Sequence, residues 1–240
     1  MTFGTLKRPN AVEDIINTFK EAILHGDLKP GQRLPSEAEL CEQMGVGRGS
    51  IREAMKMLRA LGVVKIQQGD GTYIADKPTA SALNPLIFAL LLETGSGTEL
   101  LELRALLEIG GYQLAAHKAT AEDWPHILEA EEAFARYARL PELDPNQLAR
   151  YDLDFHLSIL DATHNSLIRK IGQTVEDMFF ASIRSTLAKS SNLEQFIAEH
   201  RAIVQAVQEG QTDTIAHVVR QHLSHWGQEV GATQEVGSTE

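Results

Sequence analysis

The stretch LPSEAELCEQMGVGRGSIREAMKMLRALGVV, residues 34–64, constrains this chain more than any other. Ser36 followed three residues later by Glu39 is the pattern of a capping box, in which each side chain binds the other residue's backbone N–H. The spacing therefore predicts a helix start at Ser36. Gly45 breaks that helix, and a second amphipathic run begins near Gly47. In it Ile51, Ala54, Leu58 and Leu61 fall on one side at helical spacing. Arg48, Arg52, Lys56 and Arg59 gather on another side. One face holds such a helix to a core and the other presents cations, as a helix entering a DNA groove requires. An ordinary helix with a solvated basic face shows the same pattern, so the neighbouring sequence decides.

That neighbour is GVVKIQQGDGTYIA, residues 62–75, two β-prone runs around Gly69-Asp70-Gly71 and hence a hairpin signal. Helix, turn, helix and hairpin predict a winged helix-turn-helix of three helices plus a β-hairpin wing. Val12, Ile15, Ile16, Phe19, Ile23 and Leu24, a stripe ended by Gly26, supply the supporting first helix. The runs PGQRLPSEAEL, GVGRGSIREAMKMLRALGVV and QGDGTYI together resemble the DNA-binding domain of the GntR transcription regulators, over about a third of the chain. The resemblance implies a double-stranded DNA partner. Arg33, Arg48, Ser50, Arg52, Gln68 and Gly69 are the candidate DNA-binding residues, with Arg33 where the family commonly places a phosphate contact. Two positions depart from the family pattern. Ala38 stands where many members carry arginine, so their operator sequence does not transfer. Gly47 stands where Ser or Thr is usual, leaving a weaker cap at the base-reading end. Operator palindromy mirrors protein symmetry, so a homodimer on a palindromic site is expected.

The net charge of −11 belongs to one part of the chain. Residues 1–76 carry ten Lys or Arg and ten Asp or Glu, whereas residues 77–240 carry twelve against twenty-three. Polyanion binding therefore falls to a local basic face in the first part, and the rest should repel DNA. The length of 240 residues favours two domains. The expected boundaries are 1–76 for the winged domain, 77–83 for a linker, 84–230 for an all-helical effector and dimerisation domain, and 231–240 for a flexible tail. A single cysteine, Cys41, excludes an internal disulfide framework and, with no signal peptide legible, suggests a cytoplasmic protein. The longest apolar run, PLIFALLL, is far short of the ~20 residues a membrane helix needs.

Beyond residue 83 only helix signals are legible. Starts fall at Asn84-Pro85, Ser96 with Glu99, Thr120 with Asp123, Asp144-Pro145, Asn165, Asn192 with Gln195, and Thr212. That is a mainly α chain ending in an all-α bundle of about seven helices. Asp152 and His156, four apart, project from one face of one helix together with Leu148, Phe155 and Ile159. His200 lies on the stripe of Phe196, Ile197, Ile203, Val204 and Val207. His222 lies on that of Ile215, Val218, Val219, Leu223 and Trp226. Three helices thus aim imidazole, and one a carboxylate as well, at a common interior. A lone inward histidine is ordinarily a satisfied core residue. A converging set suits a metal, which offsets the cost of a buried carboxylate. Three nitrogens and one oxygen suit a divalent transition metal, Zn²⁺, Ni²⁺ or Mn²⁺ alike. The segment resembles the FCD effector domain of the FadR branch of the family, whose metal-binding members carry Asp, three residues, His on one helix and a His on each of the last two. All four positions are matched.

Arg104 is the other inward polar residue. Its simple reading is an i,i+4 pair with Glu108. The resemblance implies instead a guanidinium that holds an effector carboxylate. Arg184 and Asn165 are further candidate contacts, Asn165 being more simply a helix cap. The expectation is a non-enzymatic transcription regulator that senses a small organic acid through a metal centre. Rival readings are a metal-dependent enzyme fused to a DNA-binding module, and a DNA binder with a purely structural metal.

Overall fold

A computed structural model of the chain describes residues 11–76 and 97–235, with side chains through Ser224. It divides into two compact units, Met1–Pro85 and Leu86–Glu240. The expected linker at 77–83 and the helix start at Asn84-Pro85 lie outside the described residues.

The first unit comprises α1 (Ala11–Leu24), α2 (Glu37–Met44), α3 (Arg48–Ala60), β1 (Val64–Gln67) and β2 (Gly71–Ile74). The capping box forms: Glu39 N–H donates to Ser36 Oγ, and Ser36 N–H donates to Glu39 Oε2 at 2.7 Å. Gly45 closes α2 in the left-handed region at φ 65°, which a side chain would resist. The two strands pair antiparallel, Val64 opposite Ile74 and Gln67 opposite Gly71. Ile15 and Phe19 of α1, Leu40 of α2, Ile51, Ala54, Met55 and Leu58 of α3, and Val64 and Ile74 of the wing make one apolar core. Each large side chain fully withdrawn from water contributes about 1.5–3 kcal/mol. Two members of the expected stripes stay out. Leu24 is 71% exposed at the end of α1, and Leu61 caps α3 half-buried.

The second unit shows six helices among the described residues: α4 (Gly97–Lys118), α5 (Asp123–Ala138), α6 (Pro145–Asp161), α7 (Ser166–Lys189), α8 (Leu193–Glu209) and α9 (Thr212–Glu235). α6 is the centre. It packs against α4, α5 and α7, while α9 packs against α4, α7 and α8. Nine residues of α6 are buried, more than one face of an amphipathic helix can supply. Its start is set by Asp144, whose side chain accepts from Asn146 N–H, with Pro145 at the first helical position. Gly111 of α4 and Gly172 of α7 flank Leu160 of α6 so closely that a Cβ at either would lie within 2.4 Å of a Leu160 methyl.

Some expected caps are made differently. Asp123 binds Thr120 N–H and Oγ1, but α5 begins at Asp123 itself with no side-chain cap at Glu122. Asn192 precedes α8 without a side-chain cap, and Gln195 donates to Glu199 at 3.2 Å. α9 runs to Glu235, past the expected end near Val230.

Candidate metal centre and nucleic-acid interface

Asp152 and His156 from α6, His200 from α8 and His222 from α9 meet in the middle of the second unit, all fully buried. One ligand atom from each can be chosen so that all four lie within 4.8 Å of one another. His156 Nε2 and His222 Nε2 are 3.1 Å apart, His200 Nε2 is 3.3 Å from Asp152 Oδ1, and His156 Nε2 is 3.8 Å from Asp152 Oδ2. The outer nitrogens of two imidazoles are held from behind. His222 Nδ1 lies 3.0 Å from Glu199 Oε2, and His156 Nδ1 lies 2.6 Å from the Tyr112 hydroxyl. A carboxylate behind Nδ1 turns the His222 ring so that Nε2 faces inward. This is how metal-binding histidines are oriented. His200 is positioned by packing instead, stacked at 4.1 Å on Phe155 and tilted at 4.5 Å against Phe134.

Burial holds His156 well below the usual imidazole range, helped by Arg104 and by the other two histidines. Burial also lowers His200, against the pull of Asp152. Burial works to raise Asp152, yet His200, His222 and Arg104 outweigh it and keep its carboxyl below the ordinary value. Two neutral imidazoles and an ionised carboxylate are the forms a divalent ion binds. Both Asp152 oxygens and both His200 ring nitrogens lack a hydrogen bond of good geometry among the described residues. Orphaned buried acceptors of this kind are what a metal satisfies, so the donor set fits Zn²⁺, Ni²⁺ or Mn²⁺.

Arg104 lies beside this centre, and the pair expected from its spacing is made: Nε donates to Glu108 Oε1 at 2.6 Å. Its Nη2 lies 3.1 Å from Glu176 Oε2 on α7, and its guanidinium covers the Phe179 ring at 5.0 Å. Burial alone would lower Arg104, but Glu176 and Glu108 outweigh it and hold it protonated. Glu108 Oε1 is also 3.7 Å from His156 Nδ1. Arg104, Glu108 and Tyr112 thus form one inward stripe of α4, spaced four apart. Arg184 is exposed on α7 and does not join the cluster. Asn165 is a cap, its Oδ1 accepting from Leu167 and Ile168 N–H. Sequence reasoning missed Tyr112, Glu176 and Glu199. Only Tyr112 left a signal, at eight residues from Arg104. His25, His117, His126, His164 and His217 are exposed and take no part in the cluster.

In the first unit Arg48, Arg52, Lys56 and Arg59 are exposed on α3, with Gln68 and Gly69 exposed at the wing turn and Ser50 half-buried. α3 starts at Gly47 with no side-chain cap. Arg52 Nε is bound by Glu37 Oε2 of α2 at 3.0 Å, an exposed pair that binding to bases would have to rearrange. Arg33 donates through Nη2 to the Asp70 carbonyl, so it braces the wing turn as well as facing solvent. No helix among the described residues is long and apolar enough to cross a membrane.

Residues 11–74 match the family model for bacterial regulatory proteins of the gntR family, and residues 99–225 match the FCD domain. The HTH-type transcriptional regulator LutR of Bacillus subtilis (strain 168) is 33% identical over 208 residues, 85% of this chain and 93% of that protein. The Glc operon transcriptional activator of Escherichia coli (strain K12) is 30% identical over 216 residues, 88% of this chain and 85% of that protein. A solved structure, Streptococcus agalactiae GntR, superposes at a TM-score of 0.63 over 91% of this chain and 99% of its own, at 23% identity, a likeness of fold. A winged unit with a cationic helix, followed by an all-helical unit matched as FCD, leaves one assignment: the chain belongs to the GntR family of DNA-binding transcription regulators and carries an FCD effector domain.

Proposed function

We infer that the FCD domain is a metal-dependent sensor of a small organic acid and that its state controls operator binding by the winged domain. The observation that carries this is the convergence of Asp152, His156, His200 and His222 in a fully buried centre beside a buried arginine. Charge supports it: Glu108 and Asp152 lie buried with Arg104 as the cation between them and Glu176 as a further buried carboxyl, an imbalance a divalent ion would offset. Bound there, such an ion supplies a Lewis-acid seat for a carboxylate oxygen. The chain's own residues do the rest. Glu199 and Tyr112 hold His222 and His156 in place, and Arg104 provides the second anchor for the acid. Relatives named for the galactonate operon and for a putative L-lactate dehydrogenase operon are in keeping with an acid as signal.

On DNA, Arg48 and Arg52 read base edges from α3, where guanine is the commonest arginine target, while Ser50, Arg33 and the wing residues Gln68 and Gly69 set position. The protein acts as a homodimer on a palindromic site. Exposed leucines on the FCD domain, Leu106 at 72% and Leu167 at 71%, offer apolar surface for that assembly. Elemental analysis of the purified full chain tests the sensor: about one ion per chain is expected. Metal-loaded protein should change its operator affinity with at least one of a panel of small carboxylates. A metal-free protein, with a melting temperature unmoved by chelator or by added Zn²⁺ or Ni²⁺, would end this reading. Light scattering on the same sample checks the dimer.

A further inference from the structure

Arg104, the anchor assigned to the acid, is already occupied. Glu108 holds its Nε from one turn along α4, and Glu176 reaches its Nη2 from α7. All three side chains are at most 2% exposed, so water does not mediate between them and the outside. The two glutamates are not equivalent. Glu108 is tied into the metal cluster, with the same oxygen 3.7 Å from His156 Nδ1. Glu176 comes from a different helix, and its Oε2, although 3.1 Å from Nη2, makes no hydrogen bond of good geometry. Burial also pushes the Glu176 carboxyl well above the usual range, against the pull of Arg104. It is therefore a carboxylate kept at a cost, with Glu108 as its other side-chain partner.

We propose that Glu176 is an internal competitor for the effector: it keeps the place at Arg104 Nη2 that the acid's carboxylate takes, and it moves aside when the acid arrives. The proposal rests on the acid-sensor reading above and adds two things to it. The affinity for an acid is set by the difference between two carboxylates at one guanidinium, so a neutral analogue gains nothing there. Binding also breaks the Arg104–Glu176 tie between α4 and α7. That gives the acid different contacts in two arrangements of the bundle, which any ligand-driven switch requires.

The experiment is calorimetry on the full chain loaded with Ni²⁺, titrated with acetate, glycolate and L-lactate, each beside its neutral amide. Glu176→Gln keeps the shape and removes the competing charge. It should bind the acids about tenfold more tightly than wild type, or reveal binding that wild type hides, while leaving the amides unchanged. Glu176→Asp, which withdraws the carboxylate, should give a smaller gain of the same sign and covers any folding defect in the first variant. Glu108→Gln should give no gain. Acids that bind wild type through Arg104 but gain nothing in either Glu176 variant overturn the competitor and leave the sensor standing. Acids that bind none of these proteins, or that bind Arg104→Ala equally well, overturn the sensor reading and the competitor with it.

Discussion

In the winged unit every buried core side chain, from Ile15 to Ile74, is apolar, and the charges that matter for DNA stand outside on α3. The helical unit does the reverse. Every buried polar or charged side chain among the described residues lies there, Arg104, Asp152, His156, His200 and His222 among them. The proposed ligands account for the difference. DNA brings many phosphates, so hydrated cations on a surface suffice, each contact adding through counterion release. A small acid offers one or two charged groups, and a few contacts become strong only where water is excluded. Each unit therefore places its charge where its partner's chemistry can use it.

That contrast can be broken most forcefully at the metal centre. His200→Ala or His222→Ala should lose nearly all bound metal. They should also lose the ~4 kcal/mol that saturating metal supplies at a thousandfold excess over Kd, roughly 10 °C in melting temperature. Operator binding should survive. Elemental analysis, scanning calorimetry and a gel-shift assay read the three outcomes, and parallel loss of DNA binding would show that the two interiors are not independent. Gly172→Ala sharpens the same point without touching charge. In an open helix the change would stabilise by up to about 1 kcal/mol. Here the new methyl meets Leu160, and a loss of about 1–3 kcal/mol is expected from chemical denaturation. On the outer surface, Arg52→Ala should weaken operator binding by ~1–3 kcal/mol and relax specificity, with metal content unchanged. Arg33→Ala should weaken all DNA sequences alike and reduce the salt slope by about 1. The smallest effect belongs to Glu37→Gln. Its exposed pair with Arg52 contributes under about 1 kcal/mol to stability, so melting should barely move.

What could be read in the chain follows the same division. Ser36 with Glu39, the Gly45 stop and the α3 stripe are local patterns, and each is realised where its spacing placed it, the terminal Leu61 excepted. The stripes around His156, His200 and His222 were legible because apolar neighbours at helical spacing declare which way a polar residue faces. α4 gives no such declaration. Apolar residues lie on both its faces, with Leu106 outward and Leu107 partly buried, so only the i,i+4 spacing from Arg104 marks Glu108 as interior. Glu199 and Glu176 are harder still. Each is one glutamate among many on a helix, buried only because His222 or Arg104 arrives from another helix. The Asn192–Gln195 pattern shows the converse, a valid local motif without the side-chain cap it signals.

α4 carries Arg104, Glu108 and Tyr112 on one stripe; Tyr112 reaches His156 of the candidate metal centre, and Arg104 is the anchor proposed for the acid. One rigid rod would therefore touch both proposed inputs. Thermodynamic reciprocity then leaves no choice: whatever factor the metal adds to the acid's affinity, the acid must return to the metal's. A cell starved of the metal would be deaf to the acid. A cell rich in the acid would hold its metal in this protein more tightly. On the proposed function the regulator would then report the coincidence of two chemical conditions rather than the level of either.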